Sequence, residues 1–539
     1  MPRLDLGLPK IKRPLFVLLL PFLLSPIYYI YQTKATICAC VVFYMSILWI
    51  TEIIPMAATA LIPMVAYPIF GIIEAKDLCF EYLTDANFVF FGSLIMAIGI
   101  ESVLLHERIA LMILMSTGTN PRWLMLGFQV STAFLSMFMS NTATAAMMLP
   151  IVTSVICELD YCRRKHVKGS ENIVKREIDE ISFKNSTERD RNTYKCLLLS
   201  ICFSASIGGI ATIIGSGPNL IMAAFLEELY QGNSPVTFAS WMFYAFPQLI
   251  IMITFLWLWL QVLFIGFTDD PNEKEIEEVL HQVLEKKYKD LGPIQYKEKV
   301  ISLLFAGMVL SWFFRDPKIF DGWGNLFPHG YVSDSTVSLF FAILLFIVPS
   351  QNPFINNPIL SEKQKTFKPI LTWKLVNHRM SWGTILLLGG GYAMAKGVEK
   401  SGLSLEISNQ LSLLKDFPNW VFVIFTCILV TGLTEFSSNI ATASIFIPLV
   451  ASIAKNKETN PLLYILPATL SSSFAFMFPA GTPPNAIVFS AGLLRVVDLM
   501  KAGALLNIFG FFVIIISTQT YGSWIFDIKD APLNLTSIQ

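Results

Sequence analysis

Apolar residues in this chain fall in long runs that polar positions seldom interrupt. The first runs from Leu15 to Tyr31, followed by runs near 36–55 and 57–73. Others lie near 196–226, 241–267, 300–314, 334–349 and 502–521. Many approach the length of about 20 residues with which an α-helix crosses a bilayer. The pattern predicts an all-α polytopic membrane protein. Lys10, Lys12 and Arg13 precede the first run, and no small-residue cleavage site follows it. That run therefore reads as an uncleaved first transmembrane helix with a cytoplasmic N-terminus. Glu52, late in the second run beside Pro55, fits a helix-end or interhelical hydrogen bond better than a transport role.

Two stretches break the pattern in the same way. Asn87–Met115 holds Gly92, Gly99, Glu101, His106, Glu107 and Arg108, and Trp382–Gln410 holds Gly389, Gly390, Gly391, Gly397, Glu399, Lys400 and Gly402. Both are too long for one helix and carry charge in the middle. The pair is the expected signature of two re-entrant helical hairpins, at 87–115 and 382–410; two ordinary helices joined by a charged loop is the plainer alternative. Residues 158–195 are charged, include Arg163-Arg164-Lys165 and read as a cytoplasmic loop, in which the sequon at Asn185 would stay unmodified. Residues 268–299 are charged too, with Ile276, Val279, Leu280, Val283 and Leu284 at helical spacing, which suits a surface helix lying on the protein or the membrane face. The chain thus divides into a first half (1–267), a cytoplasmic linker (268–299) and a second half (300–539).

The halves repeat one motif. Ser136-Met-Phe-Met-Ser140-Asn141-Thr142-Ala-Thr-Ala-Ala-Met-Met-Leu-Pro150 aligns with Thr434-Glu-Phe-Ser-Ser438-Asn439-Ile440-Ala-Thr-Ala-Ser-Ile-Phe-Ile-Pro448 at an offset of 298 residues (438 − 140), with seven of fifteen positions identical. Gly92, Gly99 and Glu101 fall on Gly390, Gly397 and Glu399 at the same offset. A second echo pairs Gly215-Ser216-Gly217-Pro218-Asn219 with Gly481-Thr482-Pro483-Pro484-Asn485. Gly and Pro clusters inside apolar sequence mean unwound backbone. Each unit offers a hydroxyl, an amide and free backbone groups at helix ends. Helix N-termini suit an anion, and carbonyl and Ser, Thr or Asn oxygens suit a hard cation such as sodium. No Lys or Arg lies in either motif. Two units facing each other would make one anion site flanked by two cation sites. Interhelical hydrogen bonding left over from a duplication is the blander reading.

Composition narrows the classes further. Charged residues make up 14% of the 539-residue chain, against roughly 25% in soluble chains. The formal net charge of zero offers no basic field for nucleic acid. The eight Cys show no CxxC spacing and behave as small hydrophobes. No HExxH, no GxSxG and no intramembrane His cluster points to an enzyme. A channel would need a pore-lining ring or filter rather than paired hairpins. The sequon Asn534-Leu-Thr536 marks Asn534 for glycosylation if the C-terminus is extracellular, which with a cytoplasmic N-terminus requires an odd number of spans.

Through Ser140-Asn141-Thr142, Ser438-Asn439, Gly215 to Asn219 and Thr482 to Asn485, the chain resembles the sodium-coupled di- and tricarboxylate or sulfate transporters of the divalent anion:sodium symporter family, over nearly its whole length. The resemblance implies a homodimer in the plasma membrane. Each protomer would carry eleven transmembrane segments and two hairpins, divided into a scaffold and a transport domain that moves as an elevator. It implies a carboxylate substrate held by Ser140, Asn141, Thr142, Gly215, Asn439, Thr482 and Pro483. It implies one sodium site at Ser136, Ser140, Asn141 and Gly215 and a second at Thr434, Ser437, Asn439 and Gly481. The chain departs from the family pattern at Ile440, where some relatives have Thr, and at Ser216, where many do. Gly217-Pro218-Asn219 resembles the carboxylate branch more than the sulfate branch. Some relatives exchange anions without sodium, so coupling is inferred from the intact Ser, Thr and Asn set.

Overall fold

The computed structural model describes residues 33–168, 187–266, 273–352, 368–403 and 418–528, apart from positions 52, 119, 329 and 480, together with residues 17, 19 and 406. The body of the expected first span, Glu52, the sequons at Asn185 and Asn534, and most of 404–417 lie outside the described residues. Within them the architecture is all helical, save one isolated antiparallel bridge between Pro349 and Pro369.

The first half contains α1 (Lys34–Thr51), α2 (Met56–Thr59), α3 (Ile62–Ile69), α4 (Ala75–Glu81), α5 (Asp85–Ser102), α6 (Leu105–Thr117), α7 (Pro121–Ser136), α8 (Asn141–Lys168), α9 (Glu188–Gly209), α10 (Gly217–Leu229) and α11 (Phe238–Leu260). The linker forms α12 (Glu273–Asp290). The second half contains α13 (Tyr296–Arg315), α14 (Asp334–Ile347), α15 (Trp373–Arg379), α16 (Trp382–Lys400), α17 (Asn419–Thr434), α18 (Asn439–Asn456), α19 (Leu462–Ser472), α20 (Pro483–Phe489) and α21 (Val496–Ser517). The duplication is visible in the boundaries. At the 298-residue offset α17 begins and ends where α7 does, and α18 begins where α8 does. Both α11 and α21 run into a π-helical turn, at Gln261–Ile265 and Thr518–Gly522.

Among the described residues, four helices could by length and composition cross a membrane unaided: Asp85–Ser102, Asn141–Tyr161, Phe238–Ile265 and Val496–Ile525. The other apolar helices are shorter because the chain breaks them. The expected span at 57–73 is α2 and α3, separated at Ala60–Leu61. Residues 87–115 form α5 and α6, parted at Leu104, whose φ of 60° is left-handed. Asn120 begins α7 as an N-cap, accepting from Arg122 N at 3.1 Å ahead of Pro121.

One expectation changes, and the repeated glycines acquire a role. Gly92, Gly99 and Gly390 do not interrupt their segments; they lie inside continuous helices and serve close packing. A Cβ at Gly92 would sit 2.8 Å from the backbone of Ser338 on α14, and one at Gly390 would sit 2.6 Å from Ala60 O beside α2. Each glycine helix is thus seated on the opposite half of the chain, where a missing side chain lets backbones approach. The charged segment 158–195 is also not a loop throughout. It is helical at both ends, since α8 runs to Lys168 and α9 starts at Glu188. Thr187 caps α9, its hydroxyl accepting from Asp190 N at 3.2 Å.

Two apolar cores result. In the smaller, Met45, Trp49, Tyr67, Leu78 and Tyr82 enclose Leu387, Ala393 and Met394 of α16. The larger joins the other helices of both halves and also takes in Leu388 and Tyr392 of α16. On α12, Leu280 and Leu284 are fully buried against protein. Beside it, Arg108 Nε meets Glu298 Oε2 at 2.8 Å, and its NH2 group donates to the carbonyls of Leu291 and Gly292.

Candidate functional site

The Ser-Asn motifs occupy the breaks between α7 and α8 and between α17 and α18. In the first, Ser136 Oγ donates to Ala205 O at 2.6 Å. A hydroxyl has one proton, so at 2.8 Å it accepts from the Asn141 amide. In the orientation its neighbours favour, Asn141 Nδ2 also reaches Ala205 O at 3.1 Å and Gly215 O at 3.2 Å. Ser140 Oγ accepts from Ala143 N at 3.2 Å, the role of an N-cap. Gly215 has no room for a side chain: a Cβ there would lie 2.7 Å from Gly209 O and 3.0 Å from both Ser136 O and Met137 O. Ser136, Ser140, Asn141 and Gly215 therefore form one cluster of hydroxyl, amide and carbonyl oxygens.

The second break repeats the plan. Thr434 Oγ1 donates to Ser472 O at 2.7 Å and lies 2.9 Å from Asn439 Oδ1. The paired Gly/Pro-Asn loops repeat at an offset of 266 (485 − 219). Asn219 Nδ2 donates to Gly209 O, Ile210 O and Thr212 O, and Asn485 Nδ2 donates to Ala475 O and Phe478 O. Each amide holds unwound carbonyls that would otherwise be buried without a donor. Gly481 sits over the backbone of Glu435, 3.0 Å from its carbonyl to the Cβ it lacks.

The two units interlock. Helix α10 packs on α18, and α20 packs on α8, so each Asn loop lies against the other half's Ser-Asn helix. Ser216 Oγ and Ser473 Oγ are 3.3 Å apart, and Gly217 is pressed against the Ile440 side chain. That contact gives Ile440 its place: where the first motif has the exposed Thr142, the second has an aliphatic wedge. Thr434, Ser437, Gly481 and Thr482 are buried, whereas Ser140, Asn141, Asn439 and Pro483 are half-buried. Thr482 Oγ1 has no hydrogen-bond partner among the described residues. Helices α8, α10, α18 and α20 all begin in these breaks, which leaves free N–H groups and partial positive charge there. The arrangement can accept a carboxylate on amides and helix ends and a hard cation on oxygens. No cluster of three or more His, Cys, Asp or Glu occurs among the described residues, so neutral oxygens would have to serve the cation.

Glu435 was not singled out from the sequence. Its carboxylate, 3% exposed, accepts from the backbone N–H of Phe476, Met477 and Phe478 and from Asn507 Nδ2. The signal was there, an ionisable residue amid apolar sequence. The first half holds its loop otherwise: Thr212 Oγ1 donates to Met137 O and accepts from Gly215 N.

A cavity of about 750 Å³ opens elsewhere, between α4–α5, α10, the segment 315–334 and α16. None of the residues assigned to substrate or sodium lines it. Its walls carry Glu81, Asp85, Glu227, Glu228, Asp316 and Asp334 against Arg315 and Lys318. Such walls repel a carboxylate.

Comparison with known proteins places these features. Residues 11–528 match the sodium:sulfate symporter transmembrane region. A Na(+)/citrate cotransporter of Rattus norvegicus is 39% identical, with 98% of each chain covered. Solute carrier family 13 member 2 of Homo sapiens is 41% identical over 96% of this chain and 94% of that one. A Na(+)/dicarboxylate cotransporter 3 of Homo sapiens is 37% identical over 97% and 94%. Among solved structures, the Alcanivorax borkumensis YdaH transporter superposes with a TM-score of 0.52 at 11% identity, covering 83% of this chain and 88% of its own. Neisseria gonorrhoeae MtrF gives 0.53 at 12%, covering 96% of each. At such identities these two speak to the fold alone.

Proposed function

The chain belongs to the sodium:sulfate symporter family, a family of membrane transporters and not of enzymes, and from that premise we propose that it imports di- or tricarboxylates together with sodium. The observation that carries the reading is the interlocked pair of Asn amides. Asn141 and Asn439 are each fixed by a hydroxyl five residues earlier, in breaks that lie against each other's half. In this reading Ser140, Asn141, Thr142, Gly215, Asn439, Thr482 and Pro483 hold the anion. Ser136, Ser140, Asn141 and Gly215 hold one sodium ion, and Thr434, Ser437, Asn439 and Gly481 hold another. The relatives named for citrate and dicarboxylates favour carboxylate over sulfate.

The site lacks a cationic side chain, so bound sodium supplies the charge that a carboxylate needs. That makes binding of anion and ion mutually dependent and avoids the cost of an unpaired buried Lys or Arg. Sodium in excess of the anion's charge moves net charge inward, and each charge crossing 100 mV gains about 2.3 kcal/mol. The interlocked breaks would travel as one body past α16 in an elevator motion, in a homodimer in the plasma membrane, with eleven spans and Asn534 glycosylated outside.

Flux of labelled succinate and citrate into proteoliposomes, with and without an inward sodium gradient, tests the reading. Sodium-dependent uptake of at least one is expected, with sulfate competing poorly. Asn141→Ala and Asn439→Ala should each cut uptake about ten- to a hundredfold, the worth of one hydrogen bond to a charged group, in protein that remains folded. Wild-type flux in both variants removes the site.

A further inference from the structure

Helices α7 and α9 lie alongside each other in parallel. Met125 Sδ is 2.9 Å from Cys196 Sγ towards their starts, and Ser136 Oγ donates to Ala205 O towards their ends. The separations are 71 (196 − 125) and 69 (205 − 136), and 75 (208 − 133) where Gly208 meets Ala133. Met125, Gln129, Thr132 and Ser136 form one stripe on α7, and Cys196, Ser200, Ser204 and Gly208 form the matching stripe on α9. Gly208 confirms the contact, since a Cβ there would lie 2.6 Å from Ala133 Cα. Across these separations Gln129 and Thr132 on α7 lie opposite the Ser200–Ser204 turn of α9. The side chains of Gln129, Thr132, Ser200 and Ser204 are fully buried. Ser200 Oγ donates to Leu197 O. Gln129 Oε1 and Nε2, Thr132 Oγ1 and Ser204 Oγ have no hydrogen-bond partner among the described residues.

Buried polar groups are normally satisfied, and a wholly unpaired amide is the costliest neutral exception. The fold does not require this one. At the 298-residue offset Gln129 and Thr132 become Cys427 and Val430, both fully buried and apolar on α17. On α17 those two positions are apolar, whereas Ser471 of the facing helix α19, the counterpart of Ser204, is likewise buried and without a hydrogen-bond partner among the described residues. Gln129 and Thr132 are the part of the polar set peculiar to the first half, and they start one helical turn below Ser136. The oxygens of the set are neutral and no carboxylate is among them, which excludes a divalent ion and suits a monovalent hard cation. Gln129 Nε2 then needs an acceptor, which a water shared with the ion supplies.

We propose that the α7–α9 interface is an additional sodium-binding site, distinct from the two at the Ser-Asn breaks and lying behind the first of them. The proposal rests on the sodium-coupled reading above, and its test separates the two. Radioactive sodium bound to purified full-length protein counts ions without any transport. The double variant Gln129→Cys/Thr132→Val installs the residues that the second half already tolerates. It should bind one sodium ion fewer per chain and show a smaller sodium-induced rise in melting temperature. Ser204→Ala should weaken sodium binding in the same direction, and Thr132→Ser, which keeps the oxygen, should match the wild type; both remain readable if the double variant misfolds. An unchanged ion count with an unchanged sodium-induced shift means water alone occupies the interface and overturns the proposal. Wild-type protein that binds sodium but imports no carboxylate fails the transport reading while the count still decides this one. No sodium bound by the wild type overturns both.

Discussion

Glu435 stands where the first half has Met137, and the exchange changes how the break is held. Three consecutive N–H groups and the Asn507 amide converge on its carboxylate. Glu435→Gln brings an NH2 group against donors and removes the charge they share. Hydrogen bonds to charged groups are worth about 1.5–3 kcal/mol each, so the variant should lose about 2 kcal/mol or more of stability, read as a lower melting temperature in detergent. An unchanged melting temperature would mean that other groups hold the 476–478 backbone. The sequence made the Ser-Asn and Gly/Pro-Asn residues legible because identical residues recurred at a fixed offset. It hid Glu435 for the same reason: the alignment sets it against Met137, and a repeat search discards what differs. Gln129 was hidden in this way too, set against Cys427.

At the scale of elements, the sequence carried the helices better than their purpose. Gly92, Gly99, Gly390 and Gly397 lie inside helices although glycine weakens an isolated helix by roughly 1 kcal/mol. A packed neighbour overrides that preference: Ser338, Leu345, Ala60 and Tyr67 fill the space those glycines leave. Which neighbour would do so could not be read along the chain, since it comes from the other half. A second junction joins three elements at the acidic cavity. Lys396 of α16 pairs with Glu228 of α10 and with Glu399, 3.2 Å away, and Glu81 at the end of α4 faces them. The Glu81 carboxyl is pushed up to about 7 by burial and by Glu228, Glu399 and Asp77, with Lys396 opposing. Between its ordinary value of 4.5 and about 7 the folded protein holds a proton that the unfolded chain has released. Glu81 therefore lowers stability as pH rises through that window. Glu81→Gln should flatten the pH dependence of the melting temperature between about pH 5 and pH 8, and raise the melting temperature at the upper end. A variant as pH-dependent as the wild type would assign the titration to another group.

At the scale of the whole molecule the two cores suggest which parts could move. One core holds Leu387, Ala393 and Met394 of α16 among α1–α4, while Leu388 and Tyr392 of that helix belong to the other. In the other body, α7–α10 and α17–α20 are crossed through each other, α10 on α18 and α20 on α8, so neither half can shift without the other. Sliding of the interlocked body past α16 would have to part Lys396 from Glu228, because that pair bridges α16 and α10. It would leave Met125 beside Cys196, both inside the interlocked body. Paired cysteines distinguish the two cases. A short bifunctional maleimide across Glu228→Cys/Lys396→Cys should abolish carboxylate uptake, and cleaving a reducible version of the linker should restore it. Linking Met125→Cys to the native Cys196, in a background without the other cysteines, should leave uptake close to that of the unlinked protein. Full transport across a bridged 228–396 pair would mean that α10 and α16 keep their relative position throughout the cycle. Alternating access would then have to come from opening within the interlocked body, where Ser216 and Ser473 meet.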